Sequence, residues 1–299
     1  MILRQSAERI AMTPLKALIE TGELIVAPVA LNPMMARLAE DAGFKAVYLS
    51  GGSLGWLKCV TEANLSLTDM VELGVDIRGA TKIPIVLDAG GGWGEPVHIH
   101  RTVAMSEVAG FAAIEIEDQY LPRRVQHHVG EENLIPPEMM VDKIKEAVAA
   151  RTDPNLIIIG RTNAQRRHGL DEALRRGEMY HRAGSDMLFI HSRKPEELRR
   201  IGERLPGPLM MFAPEDGFST FEMTPAELAK LGFRLAASSG SAFAAMYKAV
   251  RQSYECLARG ELDPFLGAGG AVAQMKRAHE TTGLARLLEI EKRTTTRVG

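Results

Sequence analysis

The sequence predicts an α/β protein, a closed (β/α)8 barrel followed by a C-terminal helical extension. Three observations carry the prediction. Four times a helix-like segment runs out at a glycine and a short apolar run begins, at Ala42-Gly43-Phe44, Ala109-Gly110-Phe111, Ala183-Gly184-Ser185 and Leu231-Gly232-Phe233. A glycine there supplies the left-handed residue that stops a helix, and a strand directly after it is half of a helix-then-parallel-strand unit. Eight apolar runs alternate with amphipathic stretches along the chain, and the 299 residues suit one barrel of roughly 250 residues plus an extension.

In order, the strands are expected at 24–30, 46–51, 83–90, 112–119, 156–163, 187–192, 208–215 and 234–240. Most are continuously apolar, as strands covered on both faces are. PPEMMVDKIKEAVAAR and DEALRRGEMYHRAG between them place apolar residues at helical spacing with charges in the gaps. TPAELAKLG opens with Thr224, Pro225 and Glu227, the spacing of a capping box with proline at the first helical position. Residues 1–23 read as one or two entry helices, so that 1–240 form the barrel. Residues 241–299 carry the eighth helix and a tail of the same domain, whose separate apolar stripe docks on a neighbouring subunit or on its own barrel.

Composition excludes several classes. A net charge of −2 gives no basic excess for nucleic acid or an anionic membrane. Two cysteines, Cys59 and Cys256, are too few and too distant for a metal knuckle, and such sparse use fits the cytoplasm. No apolar run approaches a membrane span, and the N-terminus has no signal-like apolar core.

In a parallel barrel the chemistry sits where strands end. Those positions hold Ser50, Gly51 and Gly52, Asp88, the run Glu115, Glu117, Asp118 and Gln119, then Arg161, Thr162 and Asn163, His191, and Glu215 with Asp216. Glu115 and Glu117 share one face of their strand, with Asp118 on the other. Inside an apolar strand they must be salt-bridged or bound to metal. Asp88 on the adjacent strand, with Gly-rich loops beside it, makes an oxygen-rich site suited to Mg2+. Arg161 needs an anionic partner, either Glu115 or Glu117 or a substrate carboxylate. His98 and His100 read as surface residues. His127 and His128 lie in a long loop after strand 4, a lid by its length. Trp56 and Trp93 flank the Gly-rich loops as pocket walls or as ordinary packing.

The order APVALNPMMARLAEDAGFKAVYLSGG, PIVLDAGGGWG, AAIEIEDQ, IIIGRTNA and GLDEALRRGEMYHRAGSDMLF resembles the isocitrate lyase/phosphoenolpyruvate mutase superfamily, closest to its oxaloacetate decarboxylase-like branch. The resemblance implies a (β/α)8 barrel with a swapped eighth helix, a homotetramer built as a dimer of dimers, Mg2+ (or Mn2+), and small anionic α-keto or 2-hydroxy carboxylates as ligands. It also implies a substrate-carboxylate cradle at Ser50, Gly51 and Gly52, metal-site carboxylates at Asp88 and Glu117, and a substrate-binding arginine at Arg161.

The departures direct the choice of reaction. The superfamily's Asp-x-Asp after strand 3 reads Asp88-Ala89-Gly90. The lyases' Lys-Arg/Lys-Cys-Gly-His reads Arg123-Arg124-Val125-Gln126-His127, without the catalytic cysteine. An Asp after strand 2 becomes Thr61 beside Glu62, the Glu after strand 6 becomes His191, and a histidine after strand 8 becomes Ser239 or Gly240. The leading expectation is therefore an Mg2+-dependent decarboxylase of a β-keto dicarboxylate such as oxaloacetate, with Arg161 catalytic and water protonating the enolate; His127, a second catalytic candidate, or His128 would tip the balance towards lyase chemistry by serving as a substitute acid. The alternatives are a carbon–carbon lyase of the 2-methylisocitrate or 2,3-dimethylmalate type, a phosphonopyruvate enzyme, and a metabolite-binding protein with weakened catalysis.

Overall fold

The computed structural model describes residues 14–295; of the one or two entry helices expected over 1–23, Leu15–Glu20 forms, and residues 1–13 lie outside the described residues. All eight expected strands form: β1 (Ile25–Pro28), β2 (Val47–Leu49), β3 (Ile85–Asp88), β4 (Ala113–Glu117), β5 (Ile157–Thr162), β6 (Met187–Ile190), β7 (Leu209–Phe212) and β8 (Phe233–Ser238). They pair in parallel, β2 to β3 through to β8 and back to β1. A bridge between Val29 and Tyr48, with Ala30 N–H donating to the Tyr48 carbonyl at 3.0 Å, closes the ring. This is a (β/α)8 barrel.

Local chemistry places the ends of the elements. Gly43, Gly110, Gly184 and Gly232, the four stop glycines, all have positive φ, between 74° and 106°. The Thr224–Glu227 capping box forms as its spacing predicts, and a second one joins Ser66 to Asp69. Asn32 caps the helix Pro33–Asp41 by accepting from Met35 N–H at 2.8 Å.

The barrel interior is filled by alternate strand residues, among them Ile25 and Ala27, Tyr48, Val86, Ala113, Ile157 and Ile159, Met187 and Phe189, Met210, and Leu235 and Ala237, with Leu15 packed against them. The same inward rows continue from apolar to polar: Val86 to Asp88, Ala113 to Glu115 and Glu117, and Ile159 to Arg161. An apolar plug thus gives way to a charged floor where the strands end. Asp118 faces outward as expected. It accepts from Thr162 Oγ1 (2.6 Å), Tyr180 Oη (2.8 Å) and Arg176 Nη1 (2.9 Å), which fastens β4 to the helix Leu170–Arg182.

The chain divides into two compact units, one through Ser241 and one from Ala242 onward. The second unit contains most of the helix Ser241–Arg259 and the helices Gly270–Thr281 and Leu284–Thr294. It exposes Tyr247, Tyr254, Leu257, Phe265, Val272 and Met275. Among the described residues no helix is long and apolar enough to cross a membrane.

Candidate active site

Four carboxylates and two guanidinium groups meet at the C-terminal end of the barrel. Glu115, fully buried, accepts from Arg161 Nη1 at 2.6 Å and from Tyr48 Oη at 3.0 Å. Arg161 also donates through Nε and Nη2 to Asn163 Oδ1 at 3.2 and 3.1 Å. Its guanidinium lies over the rings of Phe189 and Phe212, 4.9 and 5.2 Å from their centroids. Fork, ion pair and aromatic faces fix its plane. Of the anionic partners left open for Arg161 by the sequence, Glu115 is the one it hydrogen-bonds in the barrel wall.

Glu117 accepts from Asn163 Nδ2 at 2.6 Å, and Arg161 Nε stands 3.4 Å away. Its other oxygen, Oε1, lies 2.8 Å from Arg123 Nη2 yet has no aligned hydrogen bond among the described residues. Asp88 accepts from Gly51 N–H and Gly90 N–H, each at 3.1 Å. Thus the middle N–H of the expected substrate cradle, that of Gly51, is taken by Asp88. Glu62 arrives from the turn after the helix Gly51–Leu57. A Cβ at Gly55 would stand 2.6 Å from Glu62 N, so glycine is what lets this turn fold back onto the helix. Glu62 Oε1 lies 3.0 Å from Arg123 Nη2 and also pairs with His127 Nε2.

Burial and neighbours divide the protonation states. Burial pushes Glu115 up to about 7 despite the Arg161 contact. Burial also raises Glu117, but Arg123, Arg161 and the Asn163 bond outweigh it and hold it down at about 2. Asp88 is raised by burial, then by the negative charges of Glu62 and Glu117. Among the described residues no ion pair reaches it. Burial, reinforced by Arg161, Arg166 and Arg193, drops His191 to about 3, so it is a neutral ring packed against Phe189 and Phe212.

The donor set fits a hard divalent cation. Asp88 is a buried carboxylate held by two backbone N–H groups with no ion-pair partner among the described residues, and Glu117 Oε1 is a buried oxygen without an aligned donor. These two carboxylates would hold the ion. Gly90 supplies no second carboxylate, so the site is poorer by one charged ligand. Glu62, His127 and His128 also bring donor atoms within 4.8 Å of one another.

A cavity of about 550 Å³ opens beside the cluster, lined at one end by Gly51, Glu62, Asp88 and Arg123 and further out by Met70, Trp93 and Met139. Lys143 Nζ donates to the Gly91 carbonyl at 2.9 Å on its wall, and burial lowers this amine to about 8. The cavity does not extend to Arg161.

The long segment after β4 covers the cluster. Its base is fastened by Tyr120 N–H to the Asn133 carbonyl (2.7 Å) and Ile135 N–H to the Asp118 carbonyl (2.9 Å). The buried Glu132 is held by Gln119 (2.7 Å), by Arg166 (2.6 Å) and, through its carbonyl, by Arg167. At the tip a short 3-10 turn, Val125–Val129, presents His127 inward. Val125, in the place of the expected cysteine, is 58% exposed.

The phosphoenolpyruvate phosphomutase family model matches residues 15–258. This chain belongs to that family. It is an enzyme of the isocitrate lyase/PEP mutase superfamily, which has lyase and hydrolase members. The 2,3-dimethylmalate lyase of Eubacterium barkeri is 34% identical to it over 280 residues, covering 93% of this chain and 96% of that one. A crystal structure of phosphonopyruvate hydrolase with oxalate and Mg2+ superposes with a TM-score of 0.81 at 32% identity, over 95% of this chain and 98% of that one. Oxaloacetate acetylhydrolase bound to its product oxalate gives 0.80 at 26% identity, over 94% and 96%.

Within this family member the sequence-predicted residues fall into two groups. Asp88, Glu117, Arg161 and His127 belong to one chain of contacts: Gly51 N–H on Asp88, Arg161 beside Glu117, Arg123 between Glu117 and Glu62, and His127 on Glu62, with Ser50 and Gly52 flanking Gly51. Glu215 and Asp216 do not; both are exposed, and Glu215 pairs with Arg193. His98 and His100 lie on the surface as expected, with His100 2.6 Å from Glu146. Trp93 lines the cavity, while Trp56 is half exposed. Glu62 and Arg123 complete the cluster and were not singled out from sequence. The Glu62 signal was its place beside the substituted Thr61, and the Arg123 signal was its place opening the altered lid motif.

Proposed function

We propose that this enzyme decarboxylates a small β-keto dicarboxylate, with oxaloacetate as the reference substrate and Mg2+ or Mn2+ as the cofactor. Asp88 and Glu117, with Glu62 beside them, would hold the ion, which when bound supplies Lewis acidity for the keto oxygen. Arg161, held flat by Glu115, Asn163 and two aromatic rings, opposes the negative charge that collects on the enolate as the carbon–carbon bond breaks. CO2 leaves unprotonated, and the enolate takes a proton from water. Gly52 N–H and the Ser50 hydroxyl remain to orient the substrate carboxylate. The observation that carries this reading is the convergence of enolate-stabilising groups beneath a lid whose residue 125 is a solvent-exposed valine. Cleavage to two carbon fragments needs a placed acid, worth about 10²–10⁴-fold in rate.

A second reading, carbon–carbon cleavage of a 2,3-dimethylmalate-type substrate, is favoured by one observation: His127 is carried into the cluster and touches Glu62, so an acid of another kind is at hand. A panel of oxaloacetate, 2-methylisocitrate, 2,3-dimethylmalate and phosphonopyruvate, assayed with and without Mg2+, separates the two. Pyruvate and CO2 from oxaloacetate, above the rate of the free metal ion, support decarboxylation. Faster cleavage of 2-methylisocitrate or 2,3-dimethylmalate would replace it with the second reading. We also infer a homotetramer, supported by the exposed apolar residues of the second unit, which light scattering of the purified chain tests.

A further inference from the structure

Four buried side-chain polar atoms among the described residues lack a hydrogen-bond partner, and three of them are Glu117 Oε1, Arg123 Nε and His127 Nδ1. These three lie where the lid meets the carboxylate cluster. Buried polar atoms are normally paired, so a concentration of orphans marks a place built for something else. Arg123 supplies charge there without supplying the geometry. Its Nη2 sits between Glu62 Oε1 and Glu117 Oε1 at 3.0 and 2.8 Å, while its Nε meets nothing. A guanidinium is directional and wants its fork matched, whereas a metal ion asks only for oxygen atoms at the right distance.

Glycine at residue 90 leaves space beside the seat. A Cβ there would stand 3.1 Å from Arg123 Nη1. Where the family motif places a second carboxylate, this chain has room for an arginine from its own lid. The lid can surrender that contact. Its base is fastened by backbone bonds and by Glu132, but at its tip Val125 and Val129 are 58% and 79% exposed, and Gly130 has φ of 87°.

We propose that Arg123 is a tethered stand-in cation. Without metal it fills the seat between Glu62 and Glu117, and a divalent ion arriving on Asp88 and Glu117 displaces it and releases the lid tip. Metal binding and lid position are thereby one equilibrium, since the two cations need the same Glu117 oxygen. The inference rests on the metal reading above, and its test separates the two.

The test is calorimetric titration of the full chain with Mn2+, for the parental protein and for Arg123→Gln, Arg123→Lys and Arg124→Gln. Removing the competing charge should tighten Mn2+ binding by about tenfold or more in Arg123→Gln. Arg123→Lys keeps a cation and should stay close to the parental affinity. Arg124→Gln, on the same loop but exposed, controls for net charge and should leave affinity unchanged. Saturating Mn2+ should also speed amide hydrogen exchange at 123–130 in the parental protein. Equal or weaker Mn2+ binding by Arg123→Gln overturns the stand-in role and leaves the metal reading intact. Absence of Mn2+ binding in every variant, with or without oxalate, removes both.

Discussion

At the scale of single residues, the site sets two carboxylates two positions apart on β4 to opposite tasks. Glu115 is pushed up to about 7 by burial, whereas burial of Glu117 is outweighed by two guanidinium groups and it stays at about 2. The signs follow by linkage. Glu117 binds its proton less readily folded than unfolded, so its contribution to stability is present above the ordinary value of 4.5 and is lost as pH falls towards about 2. Glu115 binds its proton more readily folded, so it costs stability as pH rises from 4.5 through about 7. In Glu117→Gln, denaturant-measured stability should therefore fall less between about pH 5 and pH 3 than in the parental protein; an equally steep fall would place the acid sensitivity elsewhere. Arg161 gives the sharper catalytic test. Arg161→Lys keeps the charge but cannot serve Glu115, Asn163 and a substrate at once, so kcat/KM should drop by about 10² or more with the fold intact by circular dichroism. Turnover near the parental rate would make Arg161 a structural partner of Glu115 alone.

At the scale of elements, the segment 120–137 brings Arg123 and His127 onto the carboxylate cluster, and as a lid it would decide access. The buried Glu132 carboxylate holds two side chains, Gln119 and Arg166, so Glu132→Ala should loosen 120–137 while leaving the barrel folded. Limited proteolysis should cut within that segment at least about tenfold faster, with little change in Tm; unchanged cleavage would show that the backbone bonds at the base suffice. The lid also marks how far sequence carried the reading. Strands were legible because the apolar runs alternate with amphipathic stretches and four of them follow a glycine stop, which is local chemistry. Asp88, Glu117 and Arg161 were legible because charged residues inside apolar strands have few explanations. Glu62 and Arg123 come from irregular segments, and they meet beside Gly55 and Gly90, whose missing side chains leave space for close approach. Local patterning does not encode which two loops touch. The use of Gly51 N–H on Asp88 was hidden for the same reason: a Gly-rich loop announces open backbone donors but not their direction.

At the scale of the whole molecule, a barrel wrapped in helices tolerates little extra volume where helix meets helix or sheet. Several glycines mark these contacts. A Cβ at Gly74 would stand 2.2 Å from Phe111 Cζ, one at Gly160 would stand 2.5 Å from Ser185 Oγ, and one at Gly202 would stand 2.6 Å from both the carbonyl oxygen and the Cβ of Leu231. The three differ in what can yield. The Phe111 ring and Ser185 hydroxyl can rotate, but at Gly202 the obstacle is the backbone at the end of the helix Pro225–Lys230, which leads into β8. Gly202→Ala must therefore move the helix Pro195–Arg204 away from its neighbour, and overpacking of this kind costs about 1–3 kcal/mol. For a protein of this size each kcal/mol corresponds to roughly 2–4 °C, so Tm should fall by several degrees. Gly79 supplies the comparison, because a Cβ there meets nothing within 4 Å and its residue lies in the helix Leu67–Ala80. Gly79→Ala should be neutral or stabilising by up to about 1 kcal/mol, since alanine loses less backbone entropy in a helix. Thermal scans of the two variants side by side read out the contrast. If Gly202→Ala melted no lower than Gly79→Ala, the seam between these two outer helices would be looser than the close packing on which this placement of β8 depends.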